Sequence, residues 1–313
     1  MIPDSAASSP AEGSAPGVDP SLPDVLARVG RLEVRAKRVV EGMMSGRHDN
    51  PYLGRSLDFR EHRAYTPGDD LRDVDWKVWA RQDRLYVKQY DAETNLRASL
   101  LVDCSASMAY RDPGEELSKH DFAATAACAL AFLLTRQHDA VGCLALAEGV
   151  VAETPHRSGR NQVTAIAETL VRPAEGAKTD MADCLAKAAS SLPRRGMVIL
   201  LSDLFCPSDE LAKGLSLLRA RGADAVVLQV LAGGEIEFPF EGPTRFVGLE
   251  DDHRLDANPQ ALRRDYLRAL ERHQSAVRKV CGRERADYQL LRTDRPLESA
   301  LVALLARRAT RRR

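Results

Sequence analysis

From residue 97 onward, short apolar runs alternate with stretches of helical periodicity. Residues 99–102 (Ser-Leu-Leu-Val) read as a buried strand ending at Asp103. Residues 140–147 and 150–153 predict two more strands, 196–201 (Gly-Met-Val-Ile-Leu-Leu) the strongest, and 225–231 and 287–291 the last two. Apolar character without alternation marks strands covered on both faces, as in a parallel sheet. Helices are predicted over 117–137, where Phe122, Ala126, Leu130, Leu133 and Leu134 fall in register, and over 161–170, 181–192, 211–221, 259–280 and 297–306. Strands alternating with helices of about 10 to 20 residues imply an α/β fold, a mostly parallel sheet with helices on both faces.

The chain ahead of this region has a different texture. Residues 1–21 are rich in Ser, Ala, Pro and Gly and read as a disordered tail, because they bury too little to offset the entropy of ordering. Residues 22–45 carry Val25, Leu26, Val29, Leu32, Val39 and Val40 at helical spacing, which predicts one amphipathic helix. Its basic cluster (Arg31, Arg35, Lys37, Arg38) reads as a solvated face. Residues 46–95 form a charged, aromatic module with Trp76 and Trp79, a turn at 66–69 and a short strand at 85–87. It is either a surface module of paired charges or a binding surface. The remainder, 96–313, forms the α/β domain and ends in a basic tail.

Composition narrows the function. Lys plus Arg total 45, and so do Asp plus Glu, so the net charge of zero argues against a whole-chain grip on nucleic acid or an anionic membrane. The longest apolar run, residues 123–134, falls short of the roughly 20 residues a bilayer span needs. The first ten residues lack the pattern of a secretion signal. Six isolated cysteines with no C-x-x-C pair suit a reducing cytoplasm. Cys104, Cys128 and Cys184 read as core fillers, and Asp251, Asp252 and His253 as a loop.

In a parallel sheet, function gathers beyond the carboxyl ends of the strands. Asp103-Cys104-Ser105-Ala106-Ser107-Met108 follows the first strand, and Ser202-Asp203-Leu204-Phe205 the central one. Between them Gly176-Ala177-Lys178-Thr179-Asp180 stands at a helix start. The D-x-S-x-S spacing sets Asp103, Ser105 and Ser107 on one side of an extended loop, and Thr179 and Asp203 would complete an oxygen shell. Such donors suit a hard divalent cation, Mg2+ or Mn2+, with one position open to an outside carboxylate. The plainer alternative is that Asp103 and the serines cap the following helix.

Residues 99 to about 231 resemble a von Willebrand factor A domain, whose metal-ion-dependent adhesion site has the same D-x-S-x-S, Thr, Asp pattern. The match falls on Asp103, Ser105, Ser107, Thr179 and Asp203. A wider resemblance is to the bacterial family called domain of unknown function 58. It is carried by Gly54, Asp58-Phe59, Arg63-Ala64-Tyr65, Pro67-Gly68-Asp69-Asp70, Arg72, Asp75-Trp76, Ala80-Arg81 and residues 103–108. That resemblance implies an adaptor or co-chaperone partner of a MoxR-type AAA+ ATPase, its metal site holding a carboxylate of the ATPase or of a protein client. It implies no enzymatic reaction.

Two other classes remain open. A hydrolase would use Ser105, Ser107 or Asp103, yet no nucleophile elbow, Walker A loop or recognisable nucleophile–base motif accompanies them. Nucleic acid binding would use the tail Arg307-Arg308-Ala309-Thr310-Arg311-Arg312-Arg313, whose plainer reading is a solvated helix end complementing the helix dipole. The reading carried forward is a metal-dependent interaction module that is not an enzyme, binds no nucleic acid and does not span a membrane.

Overall fold

The computed structural model describes residues 22–45, 61–64, 86–89, 96–159, 161–171, 181–250 and 254–311. The tail at 1–21, the turn at 66–69, both tryptophans and the loop at 251–253 lie outside the described residues.

Five strands run parallel at the centre: β3 (Arg97–Asp103), β4 (Ala140–Leu146), β6 (Met197–Ser202), β7 (Asp224–Leu231) and β10 (Asp287–Arg292). A sixth, β5 (Val150–Arg157), pairs antiparallel with β4 at one edge, giving the order β10-β7-β6-β3-β4-β5. The expected mostly parallel sheet is therefore present, with an antiparallel edge strand of the kind common in such sheets.

Alternation along the inner strands divides the core in two. Leu100, Val102, Ile199, Leu201, Val226 and Leu228 face one side. Leu101, Val198, Leu200, Ala225 and Val227 face the other. Four helices cover the first face: α1 (Leu22–Ser45), α2 (Lys119–Arg136), α3 (Gln162–Leu170) and α8 (Leu297–Arg311). Three cover the second: α4 (Met181–Ser191), α5 (Ser208–Ala220) and α7 (Pro259–Arg283). α1 is thus part of the domain's core, burying Val29, Leu32, Ala36, Val39, Val40 and Met43.

Local chemistry sets where these helices start. α2 begins with a capping box: the Ser118 hydroxyl accepts from the Asp121 N–H at 3.1 Å, and the Asp121 carboxylate accepts from the Ser118 N–H at 3.3 Å. Its alanine-rich middle, residues 123–131, is buried all round because the helix is sandwiched between the sheet and α1. α7 starts on Asn258, whose side chain accepts from the Gln260 N–H, with Pro259 in the first turn.

Three smaller elements complete the description: α6 (Gly233–Glu237), an antiparallel pair β8 (Thr244–Val247) and β9 (Arg254–Ala257), and a second pair β1 (Glu61–Ala64) and β2 (Tyr86–Gln89). The latter extends the strand predicted at 85–87.

Arg308 departs from the reading of the basic C-terminus as a solvated helix end, while Arg307 is exposed. Arg308 is only 13% exposed and ties α8 to two strands, at 2.7 Å to Asp287 and also to Asp224. Close approach matters at Gly196, just before β6, where a Cβ would sit 2.6 Å from the backbone oxygen of Arg97. A main-chain atom cannot swing aside, so Gly196→Ala is expected to lower the unfolding free energy by about 1–3 kcal/mol in urea titration.

Candidate functional site

The register of the sheet brings the two acidic strand ends together. β3 and β6 are neighbours with Val102 opposite Leu201, so Asp103 and Ser202 end adjacent strands and Asp203 follows one residue on. Asp103 is buried, and its two oxygens are held separately. Oδ1 accepts from the Ser105 N–H at 2.9 Å, and Oδ2 accepts from the Ser202 hydroxyl at 2.5 Å. Ser105 and Ser107 stand with their hydroxyls 3.1 Å apart. Ser105 starts the short 3-10 turn Ala106–Ala109, but its side chain makes no capping bond, so the capping alternative does not describe it.

Asp203 sits in a strained loop. Leu204, next in sequence, has φ +59°, in the left-handed region that a branched side chain rarely adopts. Its N–H is held by the Ser202 hydroxyl at 2.9 Å and its side chain is buried. Beneath, Gln229 of β7 donates to the Asp203 carbonyl at 2.9 Å and accepts from the Tyr288 hydroxyl at 2.7 Å. Strain offset in this way aims the Asp203 carboxylate toward β3 and α2.

The side chain that meets Asp203 is Lys119, the first residue of α2. Its ammonium is 1% exposed and donates to Asp203 Oδ2 at 2.8 Å and to Glu235 Oε1 at 2.7 Å. The rings of Phe205 and Tyr110 flank it at 5.0 and 5.8 Å. Glu235 is fixed in turn by the Ala232 N–H at 2.8 Å, which closes the first turn of α6. The centre therefore gathers three carboxylates (Asp103, Asp203, Glu235) against one ammonium. Burial, together with the charge of Asp203, raises the Asp103 carboxyl above the usual range. Burial also raises Glu235, although Lys119 pulls the other way. For Lys119, burial acts to lower the pKa, but the two carboxylates outweigh it and keep the group charged.

Asp103, Ser105, Ser107 and Asp203 line one small cavity of about 10 Å3, together with Met181, Phe205, Cys206 and Glu250. That is room for about one water-sized sphere. Four of the five predicted ligands are thus brought together. Thr179, the fifth, lies outside the described residues, while Met181, two residues further on, lines the cavity. Among the described residues no three His, Cys, Asp or Glu side chains converge as a ready metal cage.

Sequence reasoning missed Lys119, Glu235 and Glu250, and it named Ser202 at the strand end without giving it a role. The signal for Lys119 was a lone cation opening an apolar helix. Among the described residues Ser105 and Ser107 have no histidine partner. The Ser–His pair among the described residues is Ser99 Oγ with His156 Nε2 at 2.8 Å, between β3 and β5 within the sheet. Cys104, Cys128 and Cys184 are buried, as expected of core fillers.

Fold and site together define an α/β protein with an acidic, hydroxyl-bearing centre at the carboxyl ends of a parallel sheet. Residues 61–276 match the family described as Protein of unknown function DUF58, and the chain belongs to that family. Uncharacterized proteins of Mycobacterium bovis and Mycobacterium tuberculosis are 30% identical to it over 294 residues, which span 91% of this chain and 90% of theirs. Two solved structures also align. BatB of Bacteroides thetaiotaomicron does so at 14% identity and TM-score 0.47, over 69% of this chain and 99% of its own. An aerotolerance-related membrane protein of Bacteroides fragilis does so at 15% and 0.48, over 68% and 97%. At that level neither bears on function. Among the described residues no helix is long and apolar enough to cross a membrane.

Proposed function

We propose that the chain is a divalent-cation-dependent protein-interaction module of the von Willebrand factor A type. In this reading it acts in the cytoplasm as an adaptor or co-chaperone of a MoxR-type AAA+ ATPase. The observation that carries the reading is a water-sized cavity lined by the strand-end carboxylates Asp103 and Asp203 and the hydroxyls of Ser105, Ser107 and Ser202, beside a buried Lys119 ammonium that Asp203 shares with Glu235, so that these three carboxylates outnumber the ammonium. One Mg2+ or Mn2+ would neutralise the excess, and oxygen donors match both ions. Ser105, Ser107 and Thr179 would ligate the ion, with Asp103 and Asp203 beside it as ligands or as acceptors for its waters. When bound, the ion supplies a Lewis-acidic position for a partner's carboxylate.

The protein side of the surface favours a macromolecular partner. Phe205 is 42% exposed at the cavity wall. Val247, Leu249 and Leu255 are about half exposed on the β8–β9 hairpin, whose connection also brings Glu250 to the cavity. Apolar side chains gathered at the edge of a polar site mark contact surfaces.

Calorimetric titration with Mn2+ tests the reading. Asp103→Ala is expected to weaken binding by about 10- to 100-fold, the usual loss when a group that orients a metal site is removed. Ser107→Ala, at a half-exposed position, gives a similar loss with the melting temperature unchanged. Capture of the AAA+ partner should need Mg2+ and vanish in both variants. Equal Mn2+ affinity in wild type and variants, or capture that persists in chelator, overturns the proposal.

A further inference from the structure

A second polar cavity, of about 410 Å3, opens between α1, the start of α2 and the end of α3. It is separate from the acidic centre, and its charge is of the opposite sign. Arg28, Arg31 and Arg35 line it from α1. Spaced three and four residues apart, they share one helix face. Arg28 and Arg31 have no acidic partner among the described residues. Arg35 makes only a long contact with Asp121, at 3.9 Å.

Two buried side-chain nitrogens in this wall make no hydrogen bond within the described residues by strict geometry. Among the described residues, five buried side-chain polar atoms have no hydrogen-bond partner. Arg35 Nε and His120 Nδ1 are two of them, and both residues line this cavity. Buried guanidinium donors are nearly always satisfied, so the orphaned Arg35 Nε points to a missing acceptor, whereas His120 Nδ1 has the Cys104 side chain as its neighbour. His120 also donates from Nε2 to the Leu170 carbonyl at 2.9 Å. Burial works to lower its pKa, but the Cys104 side chain, the Leu170 carbonyl and Asp121 raise it to about 9. Glu116 and Asp121 are the carboxylates that face the cavity, and the three guanidiniums outnumber them.

The rest of the lining is apolar. Leu32, Leu117, Ala124, Leu170 and Val171 complete the wall. The volume falls in the range of small-molecule sites, about 300–1,000 Å3, larger than a bare oxyanion needs. Guanidinium forks match phosphate oxygens two at a time.

We propose that this cavity is an anion site for the phosphate ester of a small organic molecule, with Arg28, Arg31 and Arg35 on the phosphate and the leucine- and valine-lined wall against the organic part. The reading of Arg31, Arg35, Lys37 and Arg38 as a solvated face holds for Arg31, Lys37 and Arg38, which are exposed, and is corrected at Arg35, which is half-buried.

Calorimetry at constant ionic strength, with chelator present, separates this proposal from the metal reading. The probes are inorganic phosphate and adenosine monophosphate. Saturable binding of the nucleotide, about tenfold or more tighter than that of phosphate, is expected. The Arg28→Ala/Arg31→Ala double variant, altered at two exposed positions, should lose at least about tenfold of that affinity with its melting temperature unchanged. Arg28→Lys/Arg31→Lys should recover only part of it, since the charge returns without the fork. Equal affinity for both probes would leave a plain phosphate site and overturn the ester. No saturable binding of either probe, or full affinity in the double alanine variant, overturns the site itself. Mn2+ affinity at Asp103 is unaffected in every arm, so the two proposals fail separately.

Discussion

Replacing Lys119 with methionine is expected to lower the unfolding free energy by about 3–5 kcal/mol, the loss typical when one partner of a buried ion pair is removed. The ammonium is 1% exposed, and the carboxylates it joins, Asp203 and Glu235, are themselves largely buried. Methionine fills nearly the same volume, so the loss reports charge rather than a cavity. What remains is a buried cluster of carboxylates with no counter-ion. Two further measurements sharpen the result. Adding Glu235→Gln should recover part of the stability, because one uncompensated charge is removed. Mg2+ should also raise the melting temperature of the Lys119 variant more than that of wild type, since the ion is then the only neutralising cation. If Lys119→Met unfolds in urea at the wild-type midpoint, Lys119 does not hold this centre together. If Mg2+ stabilises both proteins equally, the ion does not reach the same carboxylates.

A comparable effect is expected from the middle of the sheet. Leu200 of β6 is 1% exposed and packs on the face covered by α4, α5 and α7. Leu200→Ala should cost about 2–5 kcal/mol, transfer and cavity terms together. The same change at Leu201 tests the opposite face, under α1, α2, α3 and α8. Both losses should be large, because a central parallel strand is buried on both sides. Val151→Ala on the antiparallel edge strand β5 should cost little, the side chain being 56% exposed. Chemical denaturation of the three variants decides the matter. A cheap Leu200 or Leu201 substitution would contradict the two-layer core.

How much of this was legible differs by element. β3, β6 and β7 stand out in the sequence because strands covered on both faces must be continuously apolar. Their helices stand out because each buries one stripe against the sheet. The hairpin β8–β9 was missed. Its strands, Thr-Arg-Phe-Val and Arg-Leu-Asp-Ala, are four residues long and of mixed character. Their support comes from Phe246, which stacks 5.8 Å from Phe238, a neighbour in space that no local pattern reveals. The direction of β5 was likewise illegible, since apolar content does not tell parallel from antiparallel at an edge.

The D-x-S-x-S loop and the strand-end Asp203 were readable as candidate ligands, because their oxygens follow apolar strands at the edge of a parallel sheet where sites collect. Their charge environment was not. Lys119 reaches Asp203 across 84 residues and Glu235 across 116, and Asp103 meets Ser202 across 99. Nothing local encodes those meetings; the order β7-β6-β3 and the packing of α2 create them. The arginines of α1 show the same division. Their spacing on one helix face follows from the sequence, but that the face closes a cavity with His120 follows from how α1 lies on α2. The amino-acid sequence by itself determined the α/β class and which oxygen-bearing residues stand at the strand ends, because burial and periodicity are local properties. Only the tertiary structure decided which charges share a buried site and which are left without a partner, because electrostatic energy depends on distances through space that the chain order does not carry.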